Sequence, residues 1–206
     1  MSWLDIDYDP DLWVEIPSQW TISAGEEWFG SDERTTEEWA TEIAQYCWEE
    51  SYEKNYTAGE VQLLSQTFLE CVQRYPKMYP GSEVLLHLPS PKMIPLPVWI
   101  THVPAEGDME QALRALTLAD DSGAVELPVA EKVRTEALGE GLRVLRYNTL
   151  DDSNEFVVGL RYAWRSEEHG RDVELITGSP APGQVMSAVE AIAELTHVIR
   201  LCHDDD

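Results

Sequence analysis

Several groups of residues are of types able to do chemistry, and their spacing decides what each can do. Five histidines occur: His87, His102, His169, His197 and His203. A metal site needs ligands at close spacing on one strand or helix, backed by a carboxylate. None are so spaced, and only His87 and His102, on strands that could be neighbours, are able to converge. No metal and no cofactor is therefore expected. In Gly178-Ser-Pro-Ala-Pro-Gly183 a nucleophile elbow would require glycine two residues after the serine, and that place is Ala181. The run reads as a strand-to-helix turn, with the serine near the helix start and Pro182 in its first turn. Gly139-Glu-Gly141 has neither the glycines nor the lysine of a phosphate-cradling loop. Among 39 acidic residues any pair of carboxylates is uninformative, and glycosidase chemistry needs two at a fixed separation across a cleft. No catalytic residue is assigned.

The remaining group points to binding. Of the eight tryptophans, six lie in the first fifty residues, interleaved with acids. Exposed indoles beside carboxylates can stack on sugars or clamp Arg and Lys of a partner. Trp13, Trp39 and Trp99 occupy inward strand or helix positions and read as core. Trp20, Trp28 and Trp48, with the acids Glu37, Glu38, Glu42, Glu49 and Glu50, form the candidate partner-binding surface. Arg143, Arg161 and Arg165 are expected to share one strand face, where pairing with Asp172 and Glu174 is favoured over lining a groove for an acidic group.

The elements that must position these residues are legible in the hydrophobic spacing. Three extended runs, Leu142 to Tyr147, Phe156 to Trp164 and Val173 to Ile176, are joined by short polar connections and predict an antiparallel meander. In the middle run Val158, Leu160, Tyr162 and Trp164 fall on one face and Arg161, Ala163 and Arg165 on the other. Pro182 to Leu201 carries Val185, Val189, Ile192, Thr196 and Ile199 at helical spacing, which predicts a helix lying over the apolar side of the sheet. Upstream, Trp13 to Ile16 reads as a strand stopped by Pro17. Thr35 with Glu38, and Thr57 with Glu60, have capping-box spacing. They open two helices, the first inward through Trp39, Ile43, Tyr46 and Cys47, the second through Val61, Leu64, Phe68, Val72 and Tyr75, ending before Pro76; one long bent helix is the alternative. Glu83 to Leu88 and Val98 to Val103 predict strands flanking the proline-rich connector Pro89 to Pro97, and Met109 to Leu118 a short helix. Ala124 to Leu127 reads as extended and Val133 to Gly141 as a charged loop or turn.

Composition bounds the rest. A chain of 206 residues with 43% hydrophobic content is expected to form a single α+β domain over residues 1–206, with a short acidic disordered tail at 203–206. No apolar run approaches membrane-spanning length. Met1 to Pro10 holds three aspartates and no basic residue, unlike a secretory leader, and three scattered cysteines suit a reducing cytoplasm. The formal net charge is −25, and residues 1–70 hold 17 acidic and 2 basic side chains, net −15. Such a surface repels nucleic acid and steers cationic partners towards it; solubility alone is the other explanation.

The order of elements is a strand, a helical pair, two strands, a short helix, then a meander closed by one carboxy-terminal helix. With Trp13-Val-Glu-Ile-Pro-Ser-Gln-Trp20 and Gly159-Leu-Arg-Tyr-Ala-Trp164, this resembles the Mog1/PsbP-like family. The resemblance implies an antiparallel β-sheet packed by an N-terminal helical pair and a C-terminal helix. It also implies a mostly non-catalytic role, binding a partner protein such as a small GTPase or a photosystem subunit. The sequence thus predicts a cytoplasmic, non-enzymatic, acidic module of the immunity, chaperone or adaptor kind that docks a cationic protein. The alternatives are a carboxylate-based hydrolase or carbohydrate-handling enzyme, and a subunit of a phage or secretion assembly.

Overall fold

The computed structural model describes residues 3–17, 35–149 and 156–202. In chain order its elements are β1 (Leu4–Ile6), β2 (Trp13–Ile16), α1 (Thr36–Glu50), α2 (Ala58–Met78), β3 (Glu83–His87), β4 (Leu96–Pro104), α3 (Met109–Thr117), β5 (Val129–Thr135), β6 (Gly139–Thr149), β7 (Phe156–Ser166), β8 (Arg171–Ser179), α4 (Pro182–Thr196) and β9 (Ile199–Leu201). The architecture is α+β, with antiparallel strand pairs throughout the registers given below. It falls into two compact units, one of Met1–Tyr8 with Leu96–Asp206, the other of Asp9–Pro95. The tail 203–206 lies outside the described residues.

In the Asp9–Pro95 unit, β2 pairs antiparallel with β3, Trp13 opposite His87 and Ile16 opposite Val84. Both predicted capping boxes form. The Glu38 amide donates to Thr35 Oγ1 at 3.2 Å while Glu38 Oε2 accepts from the Thr35 amide at 2.9 Å, and Thr57 and Glu60 repeat the exchange at 3.3 and 2.8 Å. Each box satisfies amides that a helix start leaves without partners. The inward face of α1 is Trp39, Ala40, Ala44 and Trp48, rotated from the predicted one: Tyr46 is exposed, and Ile43 and Cys47 are half-buried. The small Ala40 and Ala44 let α2 approach closely. Trp39 meets Phe68 with ring centroids 5.9 Å apart, and Thr41 Oγ1 lies 3.3 Å from Ser65 Oγ. The helix α2 runs through Pro76 rather than ending before it. A proline so near a helix end forfeits one backbone bond where few remain to lose.

The other unit is built on five strands in the order β4-β8-β7-β6-β5. Register puts Val158, Leu160, Tyr162 and Trp164 of β7 opposite Ser179, Thr177, Leu175 and Val173 of β8, so both rows share one face. Ser179 Oγ donates to Gln184 Oε1 at 2.7 Å, which brings α4 down on that side. Val185, Ala188, Ile192 and Leu195 of α4 are buried, and the three β7 residues from Leu160 to Trp164 on that face are at most 2% exposed. Tyr162 and Trp164 stack with centroids 5.5 Å apart and planes 8° from parallel. The Trp164 indole lies across β6, and a Cβ on Gly141 would fall 2.4 Å from Trp164 Cδ1 and 2.5 Å from the Ala163 carbonyl oxygen. Only glycine fits beneath that ring.

Four expectations are corrected here. Of the predicted charged loop or turn Val133 to Gly141, only 136–138 is turn, its two ends belonging to β5 and β6, and Ala124 to Leu127 is irregular rather than extended. As the last strand of the order, β5 is held by β6 alone and is largely solvated, so it needs no apolar stripe. The helix predicted to reach Leu201 stops at Thr196, and Ile199–Leu201 is a short strand paired with β1. Arg143 does not share a face with Arg161 and Arg165: it stands opposite Tyr162 on the α4 side, and Arg146, opposite Gly159, takes the place expected for it.

Candidate functional site

The charged side chains of the two units are placed differently, and the contrast locates the site. On the second face of the meander, α3 and its flanking loops cover the strands. Arg165 makes a two-pronged contact with Asp172, its cross-strand neighbour, at 2.7 and 2.8 Å. It also donates to the carbonyls of Glu106 and Gly107 at 2.9 and 2.8 Å. Arg161 donates to Glu174 at 2.7 Å and to the Leu116 carbonyl at 3.0 Å. Arg146 pairs with Asp121. The three arginines thus hold the start, middle and end of the 105–121 segment to the sheet. Pairing, favoured from the sequence, is what the structure shows for Arg161 and Arg165; Arg165 with Asp172 is buried, while Arg161 and Asp121 are half-buried. Arg146 and Arg165 are 7% and 9% exposed, Asp172 and Glu174 3% and 8%. Burial raises the Glu174 carboxyl above its usual range, partly offset by the Arg161 charge and hydrogen bond. Apart from Arg146 Nε, which is buried with no hydrogen-bond partner among the described residues, these groups are engaged in internal bonds.

The acids of α1 stand outward. Glu37, Glu38, Glu42, Glu49 and Glu50 are all exposed. Glu38, Glu42, Gln45 and Glu49 follow one another three or four residues apart and so run down one helix face. Glu49 and Glu50 occupy the last turn, which holds no basic residue, although a helix C-terminus carries partial negative charge and favours cations. Lys54 Nζ relieves this in part by donating to the Glu49 carbonyl at 3.1 Å. Glu37, Glu49 and Glu50 form no ion pair with any described residue.

Beside this last turn lies a groove of about 310 Å³, bounded by the entry to β2, the end of α1 and the loop after β3. Its buried lining is Val14, Leu88 and Pro91; its exposed lining includes Tyr46 and Tyr52, with Asp11, Glu50 and Glu53. Burial, then the charges of Asp11 and Glu50, with smaller effects from Cys47 and Asp9, raise the Tyr46 phenol above its ordinary value. Lys92 Nζ rests on Glu53 at 2.7 Å. A larger, more open hollow of about 580 Å³ beside α3 has its cation already committed, since Arg114 pairs with Asp120.

Of the sequence-predicted site residues, the five glutamates are exposed on α1. Trp48 is a correction: it is 2% exposed and stacks on Tyr56 at 5.4 Å, an inward α1 position one residue beyond the predicted stripe. It cannot touch a partner. Trp20 and Trp28 lie outside the described residues. Trp13, Trp39 and Trp99 are buried, as their periodicity predicts. Sequence reasoning missed Asp11, Tyr46, Tyr52 and Glu53; the one available signal was Tyr46 four residues before Glu50, neighbours on a helix surface.

Two of the histidines, His87 and His102, lie against tryptophan rings. The His87 ring packs on Trp13 at 4.9 Å, and burial lowers its pKa; His102 lies against Trp3 at 5.8 Å. Among the described residues no group of three or more His, Cys, Asp or Glu side chains is placed to hold a metal. Ser179, bonded to Gln184, also accepts from the Ala181 amide at 3.1 Å, so its hydroxyl is engaged in the turn into α4. The thiols of Cys47 and Cys71 are pushed up to about 12 and about 11 by burial, which leaves them unreactive at neutral pH.

A comparison with protein-family models finds no match to this chain, and a comparison with curated proteins finds none either.

Proposed function

We propose that this chain is a non-enzymatic binding module that docks a cationic partner protein on the outward face of α1 and the groove at its carboxy-terminal end. The observation that carries the reading is that all five α1 glutamates face solvent, two of them in a last turn where negative charge is disfavoured. Placing acids there costs helix stability, and electrostatic steering of a basic partner is a return that burial elsewhere in the chain does not offer. A net charge of −25 supports the same choice over nucleic acid. A cytoplasmic location belongs to the proposal on the strength of Cys47, Cys71 and Cys202, none of which forms a disulfide. Among the described residues no helix is long and apolar enough to cross a membrane. The proposal extends to the fold: the helical pair, the meander and the closing helix follow the order that resembles the Mog1/PsbP-like family, whose members are mostly binding proteins.

The test is capture from native lysate at low and at high salt with the full chain and with a variant carrying Glu38→Gln, Glu42→Gln and Glu49→Gln. A specific partner with a basic surface, released by salt and lost with the variant, is the expected result. Recovery of no partner, or of one indifferent to both salt and the substitutions, overturns the reading.

A further inference from the structure

The geometry points to a specific occupant of the groove at the end of α1: the side chain of one arginine from the partner, its stem on Val14, Leu88 and Pro91 and its guanidinium between the tyrosines and the carboxylates of Asp11 and Glu50. This rests on the docking reading and narrows it to a single anchor.

The lining argues for a side chain that is apolar along its length and cationic at its tip. Val14 and Leu88 are 8% and 5% exposed, Pro91 is buried, and acids stand beside them. Long basic side chains lay their methylenes on apolar surface and keep the charged head at the rim. At about 310 Å³ the groove lies at the bottom of the range for small-molecule sites, which suits one side chain better than a cofactor. The chain itself places a cation on one carboxylate of this rim, Lys92 on Glu53 at 2.7 Å. With Glu53 engaged, Asp11 and Glu50 are left to hold a second positive charge, and both bear on the Tyr46 hydroxyl.

The tyrosines choose arginine over lysine. Tyr46 is 39% exposed and Tyr52 wholly so, at 103%. A planar guanidinium stacks on such rings while its N–H groups fork onto a carboxylate, whereas an ammonium is a compact, strongly hydrated point charge. Tyr46 and Glu50 are four apart on α1, so one ring and one carboxylate stand side by side.

The full chain, labelled with ¹⁵N, is titrated with acetyl-Gly-Arg-Gly-amide, with the neutral citrulline counterpart and with the lysine counterpart. The arginine peptide is expected to shift the amides of Asp11, Tyr46, Glu50, Tyr52 and Ser90, and the citrulline peptide to bind about tenfold more weakly. Asp11→Asn and Glu50→Gln are each expected to weaken the arginine peptide roughly threefold, and Glu37→Gln, at the far end of α1, to leave it unchanged. Tyr52→Ala should reduce the preference for arginine over lysine. Equal binding of the arginine and citrulline peptides, or an equal loss with Glu37→Gln and Glu50→Gln, overturns the inference. The two readings fail separately. A captured partner lost with the Glu38, Glu42 and Glu49 substitutions but unaffected by Asp11→Asn with Glu50→Gln sinks the arginine anchor alone. A peptide seated in the groove without salt-sensitive capture sinks the docking reading alone.

Discussion

The α3-covered face of the meander and the outward face of α1 use the same kinds of residue to opposite ends. Under α3, Arg146, Arg161 and Arg165 are matched with Asp121, Glu174 and Asp172, and Arg161 and Arg165 also donate to backbone carbonyls of α3 and the loop before it. On α1, Glu37, Glu49 and Glu50 are exposed and form no ion pair with any described residue. Buried charge is costly unless it is paired and hydrogen-bonded, so the first arrangement fixes a conformation. Exposed charge contributes little to stability, so the second is available for binding. Burial, and not residue type, separates structural charge from surface charge in this chain.

The comparison can be broken at several points. The largest effect is expected from Trp48→Ala. If that indole is core beneath a charged helix, as its 2% exposure implies, the change costs about 4 kcal/mol, read by chemical denaturation. A near-neutral result would return Trp48 to the surface and blur the boundary between the two faces of α1. Next, Glu174→Ala strands Arg161 beneath α3 and is expected to cost about 3 kcal/mol. A loss no greater than that of an exposed pair would mean the latch is solvated and the contrast with α1 is false.

Gly141→Ala, on the α4 side of the same sheet, drives a methyl into the Trp164 ring and the Ala163 carbonyl and should cost about 2 kcal/mol, with the indole environment disturbed in near-ultraviolet circular dichroism.

Acidity sharpens the comparison further. The Glu174 carboxyl is raised in the folded chain above its ordinary 4.5, so the folded state holds the proton more tightly than the unfolded one. Its contribution to stability is therefore present below pH 4.5 and falls as pH rises through the raised value, opposite to the trend of a salt-bridged surface acid. Stability measured against pH for the native chain and for Glu174→Gln should diverge in that direction, with the native chain relatively weaker at the higher pH. Curves that stay parallel would show that the Arg161 charge cancels burial. The smallest effect belongs to α1. Glu49→Lys and Glu50→Lys place cations at the helix end and should each raise stability by about 0.5 kcal/mol while weakening partner capture. Stabilisation without loss of capture would leave those acids as a solubility device only.

How far the sequence could be read depended on where each residue's partners lie. The two capping boxes were legible because Thr35 with Glu38, and Thr57 with Glu60, satisfy each other within one turn. The β7 strand was legible because an apolar face alternates with Arg161, Ala163 and Arg165 over many residues. The β5 strand was not, because an edge strand takes its definition from the backbone of β6 and its side chains are free to be charged. The end of α4 was misread because Ile199 continues the helical spacing while its backbone pairs with Ile6, nearly the whole chain away. Half of the proposed site was legible, namely the run of glutamates on α1. The groove was not, since Asp11, Tyr46, Tyr52 and Leu88 come from segments that no local periodicity connects.

Sequence alone determined that the chain would be acidic, that α1 and α2 would start where their caps stand, and that the carboxy-terminal half would form a two-faced meander closed by a helix. These follow from local hydrogen bonding and from the periods of helix and strand. Tertiary structure alone decided that Arg146 rather than Arg143 joins the buried layer, that Trp48 faces inward, and that Asp11 and Glu50 border one groove. Those outcomes depend on register and on helix rotation, where a shift of one residue turns a side chain from solvent to core.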